Sequence, residues 1–321
     1  MTYVIMLNWN NLPDSLECMN SIFALEGAEY KTIIIDNGST DDSLAGILGY
    51  LNEKQIAHSV ISGTDAASAK LSEKCIVIKS GKNLGYGGGN NLGLNYALNQ
   101  DDFRHAWIIN NDLIFERSAL AKLIAKYEAL TQKKKTGLMA CKLKSYYDRS
   151  RIQTIGSKYN YYFCTNSVKG AWEPDSGQYD RDDIEDVIDC PAGASLFAGK
   201  EFLKDCGLIS EEYFLYYEEI DWIMRSRSKG WELGYCWEAD IYHKEGATTG
   251  ASAVKGSQKS AISDYYMARA RILFARKFFP SRLVSVYLGF GITIFNRIAR
   301  LQFNRIPMIL SLMYKGAFGK L

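Results

Sequence analysis

Four short apolar runs, each followed by a segment of helical spacing, constrain this chain more than any other feature. The runs are TYVIMLNW (residues 2–9), YKTIIID (30–36), KCIVIKS (74–80) and HAWIIN (105–110). Between and after them lie PDSLECMNSIFAL, DDSLAGILGYL, NNLGLNYAL and SALAKLIAKYEAL. Apolar runs of this length read as buried strands, and strands alternating with helices imply βαβ units around a parallel sheet. The first 131 residues therefore read as the Rossmann-like half of an α/β protein. The polar stretch 55–72 reads as a surface excursion.

The pattern changes after residue 131. TGLMACKLKSYY and the stretch 153–172 read as strands with turns, AWEPDSGQYDRDDIEDV as a charged loop, and CPAGASLFAGKEFLKDCG as strand then helix. FLYYEEIDWIMRSRSKG reads as a helix with acids at its start, and WELGYCW and DIYHKE as two short strands. From residue 260 the chain reads as helical and basic. The expected division is 1–255, with halves 1–131 and 132–255, followed by a helical region over 256–321.

Three of the strands end on polar residues: Asp36-Asn37-Gly38-Ser39, Asn83-Leu84-Gly85-Tyr86 and Asn110-Asn111-Asp112. In a parallel sheet these ends share the carboxyl edge, where ligands bind. The glycines of GYGGGNN read as a turn before a helix, where backbone can approach phosphate or sugar. They do not make a dinucleotide fingerprint, because Asn90 stands where the third glycine belongs and the run follows the third strand. That argues against a dehydrogenase, which would need nicotinamide binding. Asp112 suits a hard divalent ion bridging a diphosphate, and the amides of Asn110 and Asn111 suit ribose hydroxyls. Downstream, Glu218, Glu219 and Asp221 crowd three carboxylates into four residues. Crowding raises carboxylate pKa values and suits one of them to act as a base. His243, one of three histidines, completes a metal site if the fold brings it to Asp112.

VIMLNWNN, IIIDNGSTDDS, NLGYGGGNNLG, IINNDL, PAGASLFAGKEFLKDCGLISEEYFLYYEEIDWIMR and YHKEGATTG stand in the order of the family 2 glycosyltransferases, which this sequence resembles over residues 2–250. Within that family it looks most like rhamnosyltransferase-type enzymes of bacterial polysaccharide synthesis. The resemblance implies the GT-A fold, inversion at the anomeric centre and a nucleotide-sugar donor. It implies dTDP-rhamnose first, with UDP-galactofuranose, UDP-hexose or GDP-mannose as alternatives. It places Asp36 on the nucleobase and Asn10, Gly38, Asn83, Gly85 and Asn91 around the nucleotide. Asn110-Asn111-Asp112 matches the family's Asp-x-Asp motif with Asn for the first acid. That makes Asn110 a ribose contact, Asp112 the main ligand of Mg²⁺ or Mn²⁺, and His243 the second. Glu219 falls at the catalytic base, where the family usually has Asp, which leaves Glu218 or Asp221 as substitutes. A non-catalytic nucleotide-sugar-binding relative is the rival reading.

The net charge of +2 is unevenly spread. From Lys255 onward there are twelve Lys and Arg against one acid, Asp264. Residues 283–295 form an uncharged, mostly apolar run, too short to span a bilayer but long enough to lie in its interface. Arg297, Arg300 and Arg305 are then expected to face lipid phosphate. The acceptor implied is a growing glycan on a polyprenyl diphosphate, at the inner face of the cell membrane. A homo-oligomer contact is the alternative use of these helices, and no nucleic-acid-binding module is recognisable. Seven scattered cysteines without a CxxC pair, and no signal-peptide pattern, point to reduced thiols and a cytoplasmic, membrane-peripheral protein.

Overall fold

The structure is a computed structural model that describes residues 1–244, 260–319 and 321. The elements run β1 (Thr2–Asn8), α1 (Leu12–Phe23), β2 (Tyr30–Asp36), α2 (Ser43–Glu53), β3 (His58–Ser62), β4 (Cys75–Lys79), α3 (Gly85–Leu98), β5 (His105–Asn110), β6 (Leu113–Phe115) and α4 (Ala119–Thr131). The second half adds β7 (Thr136–Ser145), β8 (Ile152–Thr154), β9 (Gly156–Asn160), β10 (Thr165–Lys169), β11 (Ser195–Gly199), α5 (Lys200–Cys206), α6 (Glu218–Arg227) and β12 (Glu232–His243). Three helices close the chain: α7 (Ala261–Phe278), α8 (Leu283–Ala299) and α9 (Ile306–Ala317).

One mixed sheet, ordered β3-β4-β2-β1-β5-β11-β7-β12-β6, organises the molecule. β3, β4, β2, β1 and β5 are parallel, and β11 then pairs antiparallel with both β5 and β7. Alternate residues of each strand enter different cores. Tyr3 and Ile5 face α3, while Val4 and Met6 face α1 and α2. Both faces being covered explains why the strands are continuously apolar rather than alternating.

Two expectations change here. Part of the 55–72 excursion is the edge strand β3, paired with β4 from His58↔Cys75 to Ser62↔Lys79; its half-exposed, polar composition is that of an edge. The two short strands around residue 237 are one long strand, β12, with an irregularity between Cys236 and Ile241 that breaks the pattern in the sequence.

The C-terminal helices share the core of the catalytic fold. Phe274 of α7 packs against Tyr159 and Tyr217, with ring centroids 5.3 and 5.5 Å apart. Lys277 of α7 reaches Asp221 at 2.8 Å. The division expected at residue 255 lies outside the described residues. Arg297 and Arg305 do not face outward as expected: both bind Asp264, at 2.7 and 2.6 Å, and so tie α8 and the start of α9 to α7. Among the described residues no helix is long and apolar enough to cross a membrane. All seven cysteines are buried as free thiols.

Candidate active site

The parallel register puts Asn8 beside Asp36 and Leu7 beside Asn110, so the ends of β1, β2 and β5 meet at one carboxyl edge. The loops that leave them are locked together by side-chain amides. Asn37 donates to Asn83 Oδ1 and to the Gly85 carbonyl, and accepts from the Leu84 N–H. Asn83 Oδ1 also accepts from the Gly85 N–H. Asn10 and Asn11 adopt left-handed backbone, φ 59° and 63°, and Asn10 Oδ1 accepts from the Thr40 N–H. Gly38 has φ +73°, and a Cβ there would lie 2.4 Å from the Lys82 backbone. Asp36 is buried at the base of this cradle, its Oδ1 accepting from the Ser39 N–H.

The glycine run is not a turn preceding a helix; it is the first part of α3 itself. A Cβ at Gly89 would meet Leu7 at 2.5 Å and one at Gly93 would meet Ile5 at 2.7 Å. These glycines let α3 lie close on β1. Gly85 differs, with φ +75° and the Phe214 carbonyl 2.3 Å from its Cβ direction.

Asn111 points inward, donating to Asn8, Ser15 and the Asn10 carbonyl. Asn91 gives both amide hydrogens to Ile209 O and Glu211, and accepts from the Ile209 N–H. Both amides brace backbone rather than line open space. Asn110, half-buried, has no side-chain hydrogen bond among the described residues.

Asp112 follows directly and is buried. β12 runs beside β6 and brings His243 to it, with Nε2 3.2 Å from Asp112 Oδ1. The other ring nitrogen, Nδ1, lies 2.8 Å from Gln153 Oε1. A carbonyl oxygen only accepts, so Nδ1 carries a proton there, and Nε2 is the nitrogen that faces the carboxylate. Asp112 Oδ1 has no hydrogen-bond donor among the described residues. Burial alone would raise the Asp112 pKa, but His243, its own backbone N–H and Lys244 hold it below the ordinary carboxylate value. A proton on Nε2 or a metal ion between the two atoms satisfies both. Ligands about 2.0–2.2 Å from one ion at right angles are about 3 Å apart, so the pair fits a divalent metal. Among the described residues no third metal-binding side chain joins them. The GATTG end of the YHKEGATTG motif lies outside the described residues.

The three carboxylates of EEID separate cleanly. Asp221 is fully buried and saturated: it accepts from Tyr213 and Arg225 and pairs with Lys277. It is part of the scaffold and not a substitute base. Glu218 is buried, its Oε1 without a hydrogen-bond partner among the described residues, and burial and the neighbouring Glu219 push its pKa well up. Glu219 is only half-buried, its pKa raised by desolvation. It packs so tightly on Gly193 that a Cβ there would fall 1.8 Å from Glu219 Oε1. The residues that aim it are strained. Phe214, Tyr216 and Tyr217 have φ of 70°, 69° and 76°, a costly conformation for bulky side chains. It is held by the Tyr86 N–H on the Phe214 carbonyl, by Phe214 stacked on Tyr266, and by the Tyr217 hydroxyl on the Cys164 carbonyl.

The two halves of the site touch through one short loop. Tyr86 donates its hydroxyl to the Gly193 carbonyl at 2.6 Å, and the next carbonyl, Ala194, accepts from the Asn110 N–H at 3.0 Å. Glu219, on Gly193, therefore sits beside the strand end that carries Asp112. The sequence reading gives no role to Asn8, Asn37, Tyr86, Gln153 or Gly193. Asn8 and Asn37 lie inside the quoted strand ends and were within reach; Gln153 sits in RIQTIG, which carries no pattern.

Residues 3–169 match the family model described as Glycosyl transferase family 2. The "Low-salt glycan biosynthesis hexosyltransferase Agl10" of Haloferax volcanii is 24% identical over 229 residues, covering 67% of this chain and 71% of that protein. Among solved structures, the mannosyltransferase PcManGT of Pyrobaculum calidifontis, in complex with GDP-Man and Mn²⁺, superposes with a TM-score of 0.52 at 11% identity. That match covers 100% of this chain and 88% of that one. TarS 1–349 of S. aureus gives 0.49 at 14% identity over 85% of this chain, which spans only 64% of TarS 1–349.

Proposed function

Because the chain belongs to glycosyl transferase family 2, we propose that it moves a hexose from a nucleoside diphosphate to a glycan hydroxyl, inverting the anomeric centre and using a divalent ion. The observation that carries this reading is the facing pair Asp112 Oδ1 and His243 Nε2, 3.2 Å apart, at the strand edge that adjoins Glu219.

Asp112 and His243 would hold Mg²⁺ or Mn²⁺, and Gln153 fixes the tautomer that makes His243 a ligand. When bound, the ion neutralises charge on the departing diphosphate. Asp36 and the loops 37–40 and 83–85 form the cradle for the nucleotide, and Asn110 offers its amide to a ribose hydroxyl. Glu219 takes the proton from the acceptor hydroxyl. Its raised pKa suits it to that, and the stronger upward shift at the more buried Glu218 favours placing negative charge on Glu219. The acceptor oxygen then bonds to the anomeric carbon as the bond to the diphosphate oxygen breaks on the opposite face. Access favours Glu219 over Glu218 as the base.

The donor we place first is dTDP-rhamnose, from the order of the sequence motifs. A UDP- or GDP-hexose is the alternative, favoured by the GDP-Man and Mn²⁺ of the mannosyltransferase and the hexosyltransferase name of the relative. The test is release of nucleoside diphosphate from a panel of dTDP-, UDP- and GDP-sugars with Mn²⁺, with the product's anomeric configuration read by NMR. Release from one donor class with inversion is expected. No release from any donor supports the non-catalytic reading, and retention would reject the single displacement.

A further inference from the structure

The outer face of the C-terminal helices presents apolar side chains to solvent. On α8, Val284, Leu288, Ile292, Phe295 and Ile298 follow one helical stripe and are 44–74% exposed. The opposite face buries Val286, Phe290 and Arg297. On α9, Leu310, Tyr314 and Phe318 continue the pattern, while Ile309 and Leu312 turn inward. The connection between the helices exposes Leu301 and Phe303 as well. A contiguous apolar face of this kind marks an interaction surface.

The charge around it identifies the partner. Residues 265–321 contain no Asp or Glu. Arg269, Arg271 and Arg276 bond to backbone carbonyls, and among the described residues none of them pairs with a carboxylate. Arg300 and Lys315 lie exposed beside the stripes. A second copy docking symmetrically here would set cation against cation, since a two-fold interface meets itself. No described helix crosses a bilayer, and α8, at about 1.5 Å per residue, is a short rod suited to lying flat. We propose that the outward face of α8 and α9 docks in the plane of a bilayer rich in anionic lipid. The stripe enters the acyl boundary, and Arg300 and Lys315 meet the phosphates.

Flotation of the full chain with phosphatidylcholine vesicles, with and without phosphatidylglycerol, tests this. Binding is expected only with the anionic lipid, weakening as salt rises. The variant Leu288→Glu/Ile292→Glu/Phe295→Glu should lose it while keeping an unchanged thermal melt and sugar-nucleotide turnover. Arg300→Gln and Lys315→Gln, both exposed, should each weaken it about five-fold. Three results would overturn the proposal: no flotation of the wild type, flotation of the triple variant at wild-type level, or a wild-type dimer in sedimentation that the triple variant breaks while neither binds vesicles.

Discussion

Asp112 and Asp264 are both buried carboxylates in one chain, and their surroundings are opposite. Asp264, in the C-terminal bundle, receives guanidinium hydrogens on both oxygens, from Arg297 and Arg305. Asp112, at the sheet edge, keeps a buried oxygen with no hydrogen-bond donor among the described residues and faces an imidazole nitrogen. A buried charge is costly unless paired. Where the protein supplies the partner the residue is scaffold; where it does not, a ligand is the missing partner. The same contrast separates Asp221, with three partners, from Glu219 two residues away.

Mutations can break this contrast. The largest effect is expected at Glu219→Gln. Loss of a general base costs about 10²–10⁴-fold in turnover, while nucleotide affinity should stay unchanged in calorimetry. Near-normal turnover would move the base elsewhere. Next is Asp264→Ala, which leaves two cations buried without a counter-charge. Breaking a buried pair from one side costs about 3–5 kcal/mol, measurable by urea unfolding. A loss under about 1 kcal/mol would show that solvent reaches the cluster. Asp112→Asn in metal-free buffer should lose less by the same measurement, because His243 and Lys244 favour the Asp112 charge in the folded chain only enough to depress its pKa.

Gly89→Ala sharpens the reading of α3 as a close-packed helix. Overpacking against Leu7 should cost about 1–3 kcal/mol, and a neutral result would return those glycines to a ligand-facing role. The smallest effect concerns pH. The pKa of Glu218 is higher in the folded chain than in the unfolded one, because burial and Glu219 disfavour its charge. Its contribution is fully present below the unfolded value and is lost as pH rises toward the folded value. Glu218→Gln should therefore melt higher than wild type at neutral pH, and the gap should close in acid. A gap that does not depend on pH would contradict this.

Much of the fold was legible because the strands of the first half are continuous apolar runs with polar ends. β3 was not, since an edge strand needs only one partner and half its residues face water. β12 was not, since its irregularity interrupts the pattern. At the site, Asp112, His243 and Glu219 stood out by residue type at strand and helix ends. Asn111 stood out the same way and Asn91 through the family resemblance, yet their amides are taken up by neighbouring groups of the fold. Sequence shows that an amide lies near a ligand edge; only geometry shows whether its hydrogens are already taken. Arg297 and Arg305 teach the same lesson in the basic tail, where the lone acid, Asp264, was the clue.

The central claim is that Asp112 and His243 hold a divalent ion that binds the donor diphosphate. It is tested most directly by calorimetric titration of UDP, GDP and dTDP, with and without Mn²⁺, into wild type and Asp112→Asn. Binding of one nucleotide that requires Mn²⁺ in the wild type and is lost in Asp112→Asn is the predicted result. Equal affinity with and without the ion, or an unaffected variant, would contradict it.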